Sequence, residues 1–186
     1  MLLVAGLGNP GPKYAGNRHN VGFMVVERLA ERWDFVTFRE KFKGRFAKAS
    51  FGGEDVGLLE PLTYMNLSGE SVQKALAFFK IGLGDLLVVH DELDLPYGEL
   101  RIKVGGGTAG HNGLRSIVRQ CGGNDFTRVR VGIGRPRSGA VEGHVLSDFS
   151  SDERATLTDV VDRAADMVEA IVDKGPRAAM NALHGK

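Results

Sequence analysis

Two side chains have the types that acid–base chemistry requires. His19 lies in an irregular loop between Arg18 and Asn20, and an imidazole there can titrate near neutral pH. Asp91 follows the apolar run 86–89, where a half-buried carboxylate can orient an imidazole and stabilise its protonated form. In such a pair the histidine takes a proton from a hydroxyl group or from water.

Both residues also have simpler interpretations, which the sequence leaves open. His19 could cap the helix that follows it, as polar side chains before helices often do. Asp91 or Asp94 could serve only the turn 94–98. For Asp94 we prefer the turn, because its composition is typical of one.

The sequence contains no convincing side-chain nucleophile. A G-x-S-x-G motif is absent, and Ser68 and Ser71 fit the start of a helix better. Cys121 belongs to the apolar face of a short helix, which places it in the core. The five histidines show no metal-ligand spacing and H-E-x-x-H does not occur, so we expect no metal. A histidine–aspartate pair without a nucleophile indicates activated water.

Three asparagines could assist this chemistry. Asn9, Asn66 and Asn112 are neutral donors and acceptors that could position water, bind an amide or stabilise an oxyanion. Asparagine in a loop is often only a turn former, so each alone is weak evidence. Asn9, Asn66 and Asp91 each follow a predicted strand, however, and ligands of open α/β sheets bind beyond the carboxyl ends of strands. We therefore expect them in one crevice.

The loop after the first strand matches a dinucleotide-binding pattern. Gly6, Gly8 and Gly11 fit G-x-G-x-x-G. Pro10 and Pro12 interrupt the loop, and helical periodicity resumes too late for a helix N-terminus to hold a pyrophosphate. The sequence thus argues against dinucleotide binding.

A second glycine-rich loop, 105–113, connects a strand carrying Arg101 and Lys103 to a helix. Its glycines permit close backbone approach to a ligand, and the helix N-terminus favours an anion. The loop lacks the Lys-Ser/Thr ending of a P-loop, which argues against nucleoside triphosphates.

Composition predicts one globular domain, 1–186. The chain is 42% apolar and 25% charged, which is ordinary for a protein with a full core. Its single cysteine excludes an intramolecular disulfide. No run approaches the roughly 18 apolar residues of a membrane span, and the first residues lack an export signal. We expect a cytoplasmic protein without a membrane partner.

The net charge of +1 hides an uneven distribution. Segment 150–174 has seven acidic and three basic residues, so the remainder has 21 basic and 16 acidic ones. Basic residues form two clusters: Arg39, Lys41, Lys43, Arg45 and Lys48, and Arg128, Arg130, Arg135 and Arg137. Such clusters can bind phosphates, although a solvated surface explains them equally well.

Hydrophobic patterning predicts strands that alternate with helices. The strands are expected at 2–7, 45–51, 56–60, 86–90, 99–104 and 128–133, with a hairpin turn at Gly52-Gly53. The helices are expected at 21–33, 68–81, 112–121 and 150–174, with a short final helix from Pro176. This order predicts a single-domain, three-layer α/β/α fold around a mixed, mostly parallel sheet.

Short motifs predict several helix ends. Ser150 and Glu153 form a capping box at the start of the acidic helix. Gly82, Gly122 and Gly175 are expected to end the helices before them.

Taken in order, these segments resemble the bacterial peptidyl-tRNA hydrolase family. The resemblance covers nearly the whole chain, and its specificity comes from the ordered set. The matching segments are Gly8-Asn9-Pro10-Gly11 with Tyr14, Arg18-His19-Asn20, Met65-Asn66-Leu67-Ser68-Gly69, His90-Asp91-Glu92-Leu93-Asp94, the loop 105–113 and Arg128-Val129-Arg130-Val131-Gly132-Ile133-Gly134-Arg135-Pro136.

The resemblance implies a monomeric α/β hydrolase of translation without a metal or organic cofactor. Its substrate would be peptidyl-tRNA, cleaved at the ester between the peptide and the 3′-terminal ribose, which recycles the tRNA. By this resemblance His19 would be the catalytic base and Asp91 its orienting partner. Asn9 and Asn66 would hold water and substrate, and Asn112 the peptide main chain.

The resemblance also implies binding residues around this centre. Tyr14, Tyr64 and Met65 would shape the cleft, and Lys103 and Arg130 would grip a tRNA phosphate. The loop 105–113 and a neighbouring helix would gate the cleft. Tyr64 departs from the family, in which phenylalanine is common at this position, and Thr108-Ala109 varies the glycine-rich loop.

Two other classes of protein remain as alternatives. A non-catalytic RNA-binding protein using the same basic clusters would bind tRNA without cleaving an ester. A dinucleotide-dependent oxidoreductase using Gly6 to Gly11 would show a thermal shift with the dinucleotide.

Overall fold

The computed structural model describes residues 1–34 and 37–184. Its strands are β1 Leu2–Gly6, β2 Arg39–Lys41, β3 Gly44–Phe51, β4 Glu54–Pro61, β5 Leu86–Glu92, β6 Leu100–Val104 and β7 Thr127–Gly132. Its helices are α1 Val21–Arg32, α2 Ser68–Phe79, α3 Asn112–Cys121, α4 Val141–Val145, α5 Ser151–Lys174 and α6 Pro176–His184. Every predicted strand and helix is present, and β2 and α4 are additional.

The seven strands form one mixed sheet in the order β2-β3-β4-β1-β5-β7-β6. The four central strands are parallel, since β1 pairs with β4 and β5, and β5 pairs with β7. The β2–β3, β3–β4 and β6–β7 pairs towards the edges are antiparallel. The predicted mixed sheet is confirmed, and its parallel strands form the centre.

Apolar clusters on both faces of the sheet produce three layers. Val4 packs in the cluster shared with α1, α5 and α6, whereas Leu3 and Ala5 pack in the cluster shared with α2 and α3. This alternation is expected of a strand that is buried on both faces. Among the described helices, none is long and apolar enough to cross a membrane.

Several predicted turn and cap signals are confirmed. Gly52 and Gly53 both have positive φ, 58° and 84°, and join β3 to β4. Ser150 Oγ accepts the Glu153 N–H, and the Glu153 carboxylate accepts the Ser150 N–H, which completes the capping box of α5. Gly175 follows the end of α5 with a φ of 86°.

The C-terminus of α2 differs from the prediction. The helix ends at Phe79, and Lys80, not Gly82, takes the left-handed conformation with a φ of 55°. The Ile81 N–H bonds back to the Leu76 carbonyl at 3.1 Å, and Ile81 packs against the core. This apolar contact offsets the cost of about 1–2 kcal/mol for a left-handed lysine. Gly122, in contrast, ends α3 as expected.

The first glycine-rich loop serves close packing of α1 against the sheet. A Cβ on Gly6 would lie 2.2 Å from the carbonyl oxygen of Gly22, and a Cβ on Gly8 would lie 2.8 Å from the ring of Phe23. Helix α1 begins only at Val21, well beyond the glycines of the motif. The match to G-x-G-x-x-G therefore reflects helix-on-strand packing.

Candidate active site

A cleft of about 490 Å³ lies beyond the carboxyl ends of β1, β4 and β5. The loop before α3 and the short helix α4 complete its walls. The residues expected from the sequence that line it are Asn9, Tyr14, His19, Tyr64, Met65, Asn66, Asp91 and Asn112. Lys103 and Arg130 lie outside the cleft, on β6 and β7.

His19, Asp91 and His111 form a hydrogen-bonded group in this cleft. His19 Nδ1 lies 2.8 Å from Asp91 Oδ2, and His111 Nε2 lies 2.8 Å from Asp91 Oδ1. The Asp91 side chain is only 2% exposed. Because carboxylate oxygens accept, both imidazole nitrogens donate.

These bonds determine both tautomers. His111 Nδ1 accepts the N–H groups of Gly113 and Leu114 at 3.1 and 3.2 Å, so His111 is neutral with its proton on Nε2. On neutral His19 the proton lies on Nδ1, which leaves a lone pair on Nε2. An imidazole with this tautomer in a cleft can act as a base.

Two imidazole donors keep the buried Asp91 ionised. Burial alone would raise the pKa of Asp91, but His19 and His111 outweigh it and hold that pKa well below its usual range. His90, the preceding residue, is fully buried, and burial lowers its pKa to about 3. Asp91 is therefore the negative charge that would face a protonated His19.

The contacts decide between the alternatives for His19. Neither the 3₁₀ turn Arg18–Asn20 nor α1 has a side-chain cap, so His19 is not a helix cap. His111 instead caps α3. Its Nδ1 accepts hydrogen bonds from the N–H groups of Gly113 and Leu114, which are therefore not available to an anion. The expected anion site in the first turn of α3 is thus filled by a side chain.

Other polar residues weighed from the sequence have structural contacts. Asp94 bonds Arg135 at 2.7 Å, so its side chain does more than form a turn, and Asp91 takes no part in that turn. Ser68 Oγ donates to the Met65 carbonyl in the 3₁₀ turn that precedes α2. Cys121 packs against the core, and burial raises the pKa of its thiol to about 11.

Asn20 holds Asn9 in position, a role that its place in the R-H-N motif did not reveal. Asn20 Oδ1 accepts the Asn9 N–H and Asn20 Nδ2 donates to the Asn9 carbonyl, both at 2.9 Å. Asn9 Oδ1 accepts the Met65 N–H at 2.7 Å. This arrangement leaves Asn9 Nδ2 as a donor for the cleft, suited to a carbonyl oxygen or an oxyanion.

Tyr64 stands at the mouth of the cleft in a strained backbone conformation. Its φ of 66° and ψ of 155° lie in a region that L-residues rarely adopt and that is frequent at functional sites. The side chain is 53% exposed and meets the Tyr14 ring edge to face, with centroids 6.4 Å apart. Asn66 and Asn112 are exposed along the same cleft.

Lys103 and Arg130 belong to a basic face at one edge of the sheet. In the β6–β7 pair, Lys103 lies opposite Arg128 and Arg101 lies opposite Arg130, which places four cations on one face. Like charges directly across two strands destabilise a sheet. This arrangement makes the face a candidate for binding an anion.

The arginines of this face differ in their partners. Arg130 Nε bonds Glu92 at 2.9 Å. Arg128 is 4% exposed and donates to the carbonyls of Gly105 and Gly107 at 3.0 and 2.9 Å. The guanidinium of Arg128 therefore anchors the loop 105–113 from inside.

The second basic cluster, 39–48, lies at the opposite edge of the sheet. Lys43 pairs with Glu70 at 2.8 Å, and Arg45 pairs with Glu27 at 3.4 Å. Cations of the other cluster are paired as well, Arg130 with Glu92 and Arg135 with Asp94, so ion pairs alone do not decide between the two clusters as a phosphate site.

The group of His19, Asp91 and His111 also has the composition of a metal site, which chain spacing did not reveal. Its candidate ligand atoms lie within 4.8 Å of one another. Both histidine nitrogens donate to Asp91, however, and the other nitrogen of His111 serves α3. The arrangement is that of two hydrogen bonds to Asp91. A cation could bind among these three residues only by replacing both bonds.

Fold and site together define a class of enzyme. An open α/β sheet brings an oriented histidine, its carboxylate and an asparagine donor to one cleft at its strand ends, and this is the arrangement of a hydrolase. Sequence and structural comparisons support and narrow this class.

The family model described as peptidyl-tRNA hydrolase matches residues 3–186. A peptidyl-tRNA hydrolase of Sorangium cellulosum is 54% identical over 184 residues, 97% of this chain and 82% of the relative. One of Geobacter sulfurreducens is 50% identical, covering 99% and 95%. The crystal structure of peptidyl-tRNA hydrolase from Acinetobacter baumannii has a TM-score of 0.90 at 43% identity, covering 97% and 93%.

The chain accordingly belongs to the peptidyl-tRNA hydrolase family. The resemblance seen in the sequence motifs is confirmed, as is the assignment to hydrolases.

Proposed function

We propose that this protein hydrolyses the ester between a peptidyl, or N-blocked aminoacyl, group and the 3′-terminal ribose of tRNA. The observation that carries the proposal is the contact between His19 Nδ1 and the buried Asp91 carboxylate in the cleft. The names of the relatives, all peptidyl-tRNA hydrolases, supply the substrate.

Water is the nucleophile in this proposal. The described residues that line the cleft include no serine, threonine, cysteine or lysine. His19 Nε2 takes one proton from water while the water oxygen bonds to the ester carbonyl carbon. Asp91 keeps the imidazole in the required tautomer and stabilises the imidazolium that forms.

The carbonyl oxygen becomes an oxyanion, for which Asn9 Nδ2 is a donor. When this intermediate collapses, the bond between the carbonyl carbon and the ribose oxygen breaks. The proton on His19 passes to that ribose oxygen. The products are a peptide carboxylic acid, which ionises, and tRNA with a free terminal ribose.

The remaining cleft residues would bind the acyl group. Asn112 offers an amide to the peptide main chain, and Asn66 to water or substrate. Tyr14, Tyr64 and Met65 provide apolar contact area at the mouth and wall. An N-blocked substrate presents an amide there, whereas an unblocked aminoacyl group presents a charged ammonium, so the cleft should prefer the blocked form.

The basic face of β6 and β7 would bind the nucleic acid. Lys103 and Arg130 would hold a tRNA phosphate, a kind of contact that positions a nucleic acid without reading its sequence. We further propose that the enzyme acts as a monomer in the cytoplasm and recycles tRNA. The proposed steps assign each proton transfer to a side chain and use no metal or organic cofactor.

The direct test is release of free tRNA from N-acetyl-aminoacyl-tRNA, measured beside the unblocked aminoacyl-tRNA. We expect rapid cleavage of the blocked form alone. Cleavage of neither by the folded protein would contradict the proposal, and tRNA binding in that case would indicate a non-catalytic RNA-binding protein.

A further inference from the structure

Helix α4 cannot hold its own position. It has five residues, Val141–Val145, and so short a helix is unstable in isolation. Yet Val141, Val145 and Leu146 form one wall of the cleft. The position of this wall must therefore come from contacts with the rest of the molecule.

Arg18, the residue before His19, supplies the central contacts. Its backbone N–H donates to the Ser147 carbonyl at 3.0 Å, and Nη1 donates to the His144 carbonyl at 3.1 Å. Nη2 pairs at 2.9 Å with Glu153, which also caps the start of α5. The Arg18 side chain is only 11% exposed.

Neighbouring contacts complete the tether. Asn17 Nδ2 donates to Asp148 Oδ1 at 2.8 Å, and the backbones of these two residues form an antiparallel bridge. His144 Nε2 donates to the Gly134 carbonyl at 3.0 Å. The wall is thus fastened mainly to residues 17 and 18, which directly precede His19.

We propose that Arg18 is a positioning residue of the hydrolytic site. It fastens the α4 wall to the loop that carries His19, and so fixes the distance between the wall and the base. This assignment rests on the proposed function and adds to it a residue that acts through α4 and His19. Without Arg18 the wall moves, and the acyl group binds where His19 reaches it poorly.

The shape of the guanidinium is essential to this role. A planar fork can bond the His144 carbonyl and the Glu153 carboxylate together, whereas an ammonium is a compact charge on a flexible stem. Arg18→Lys should therefore retain part of the tether and Arg18→Gln much less of it.

The test combines hydrogen–deuterium exchange with kinetics of N-acetyl-aminoacyl-tRNA hydrolysis. In Arg18→Gln we expect amides of 141–149 to exchange at least about tenfold faster, with β1 and β5 unchanged. We expect kcat/KM to fall about 10- to 100-fold, as misplacement of a bound substrate does, with both KM and kcat affected. Arg18→Lys should lie between, and Arg154→Gln, an exposed arginine in the first turn of α5, should match wild type.

A double-mutant cycle separates this role from a general loss of stability. Leu146→Ala weakens the wall directly, so its effect on kcat/KM should be smaller in an Arg18→Gln background than alone. Additive effects, or unchanged exchange of 141–149 in folded Arg18→Gln, would overturn the proposal. If Arg18→Gln does not fold, Glu153→Gln weakens the same pair while its amide oxygen can still cap α5. The exchange readout needs no substrate, so a failure of the proposed activity is seen separately.

Discussion

At the scale of residues, Asp91 is the centre on which the site depends. It accepts one imidazole N–H on each oxygen. The bond to Asp91 fixes the tautomer of His19, and the bonds of His111 Nδ1 to the first turn of α3 fix the tautomer of His111. A single carboxylate thereby links His19 to α3, the helix that borders the cleft.

Asp91→Asn should remove activity with little change in binding. An amide can donate to His19 Nδ1, which moves the ring proton to Nε2 and removes the lone pair that accepts the proton of water. We expect kcat to fall on the order of 10³–10⁴-fold with KM nearly unchanged. Asp94→Asn, which alters a surface pair with Arg135, is the matched control. A kcat within a few fold of wild type in Asp91→Asn would reject the orienting role.

Glu60 predicts a decline of stability with rising pH. Burial and the charge of Glu27, opposed by Arg45, raise the pKa of Glu60 to about 8 from 4.5. Between these values the folded state holds a proton that the unfolded state has released. The free energy of unfolding therefore falls as pH rises, by up to about 1.4 kcal/mol per pH unit.

Glu60→Gln should flatten this slope between about pH 5 and 8, since a glutamine does not titrate. Glu54→Gln changes an exposed residue of the same strand and should leave the slope intact. Denaturant unfolding across this pH range measures both variants, and an unaltered slope in Glu60→Gln would show that another group is responsible.

The residue types of the site could be predicted from sequence, but their partners could not. His19, Asp91 and Asn9 could be predicted because they are polar residues at the ends of predicted strands or in the loops that follow them. The contact of His111 with Asp91 joins separate loops and has no signature in chain spacing. One usable signal existed, because His111 stands directly before a predicted helix start, where caps lie.

At the scale of elements, α3 depends on a histidine cap. The N–H groups at a helix N-terminus have no partner within the helix and need one outside it. His111 Nδ1 accepts two such groups in the first turn of α3. The same ring donates to Asp91, so one side chain serves the helix and the site together.

Two substitutions at His111 should separate these functions. His111→Ala loses the cap and should destabilise the protein by about 1 kcal/mol, whereas serine is a good cap and should recover most of this loss. Both lose the bond to Asp91 and should lower kcat to a similar extent. Unfolding and turnover measured on both variants test this. Recovery of kcat together with stability in His111→Ser would mean that the bond to Asp91 is dispensable.

The elements that sequence patterning missed are short or atypical. Strand β2 consists of three exposed charged residues that pair with β3 and show no apolar alternation. Helix α4 is held by tertiary contacts through Arg18, which no local pattern encodes. Gly82 failed as a helix stop because Ile81 packing allowed Lys80 to take the left-handed conformation.

At the scale of the whole molecule, the two basic clusters lie at opposite edges of the sheet. Net charge does not distinguish the two clusters as phosphate sites, because carboxylates from other segments of the chain pair with their cations. Ion pairs occur in both clusters, since Lys43 and Arg45 pair with carboxylates and so do Arg130 and Arg135. The cluster on β6 and β7 differs in placing cations opposite one another across two strands.

Lys103→Ala and Arg130→Ala should each weaken tRNA binding and reduce its dependence on salt. Loss of one phosphate contact should lower the slope of log affinity against log salt concentration by about 1. Lys48→Ala, an exposed lysine at the opposite edge, is the control. Normal slopes in both variants and a reduced slope in the control would move the phosphate site to the 39–48 cluster.

The proposed activation of water by His19 is tested by single-turnover hydrolysis of N-acetyl-aminoacyl-tRNA, measured for wild type and for His19→Ala. With enzyme in excess, the rate should fall about 10²–10⁴-fold in the variant, while thermal unfolding and tRNA affinity remain close to wild type. A folded variant that still binds tRNA and cleaves at nearly the full rate would show that His19 is not the base.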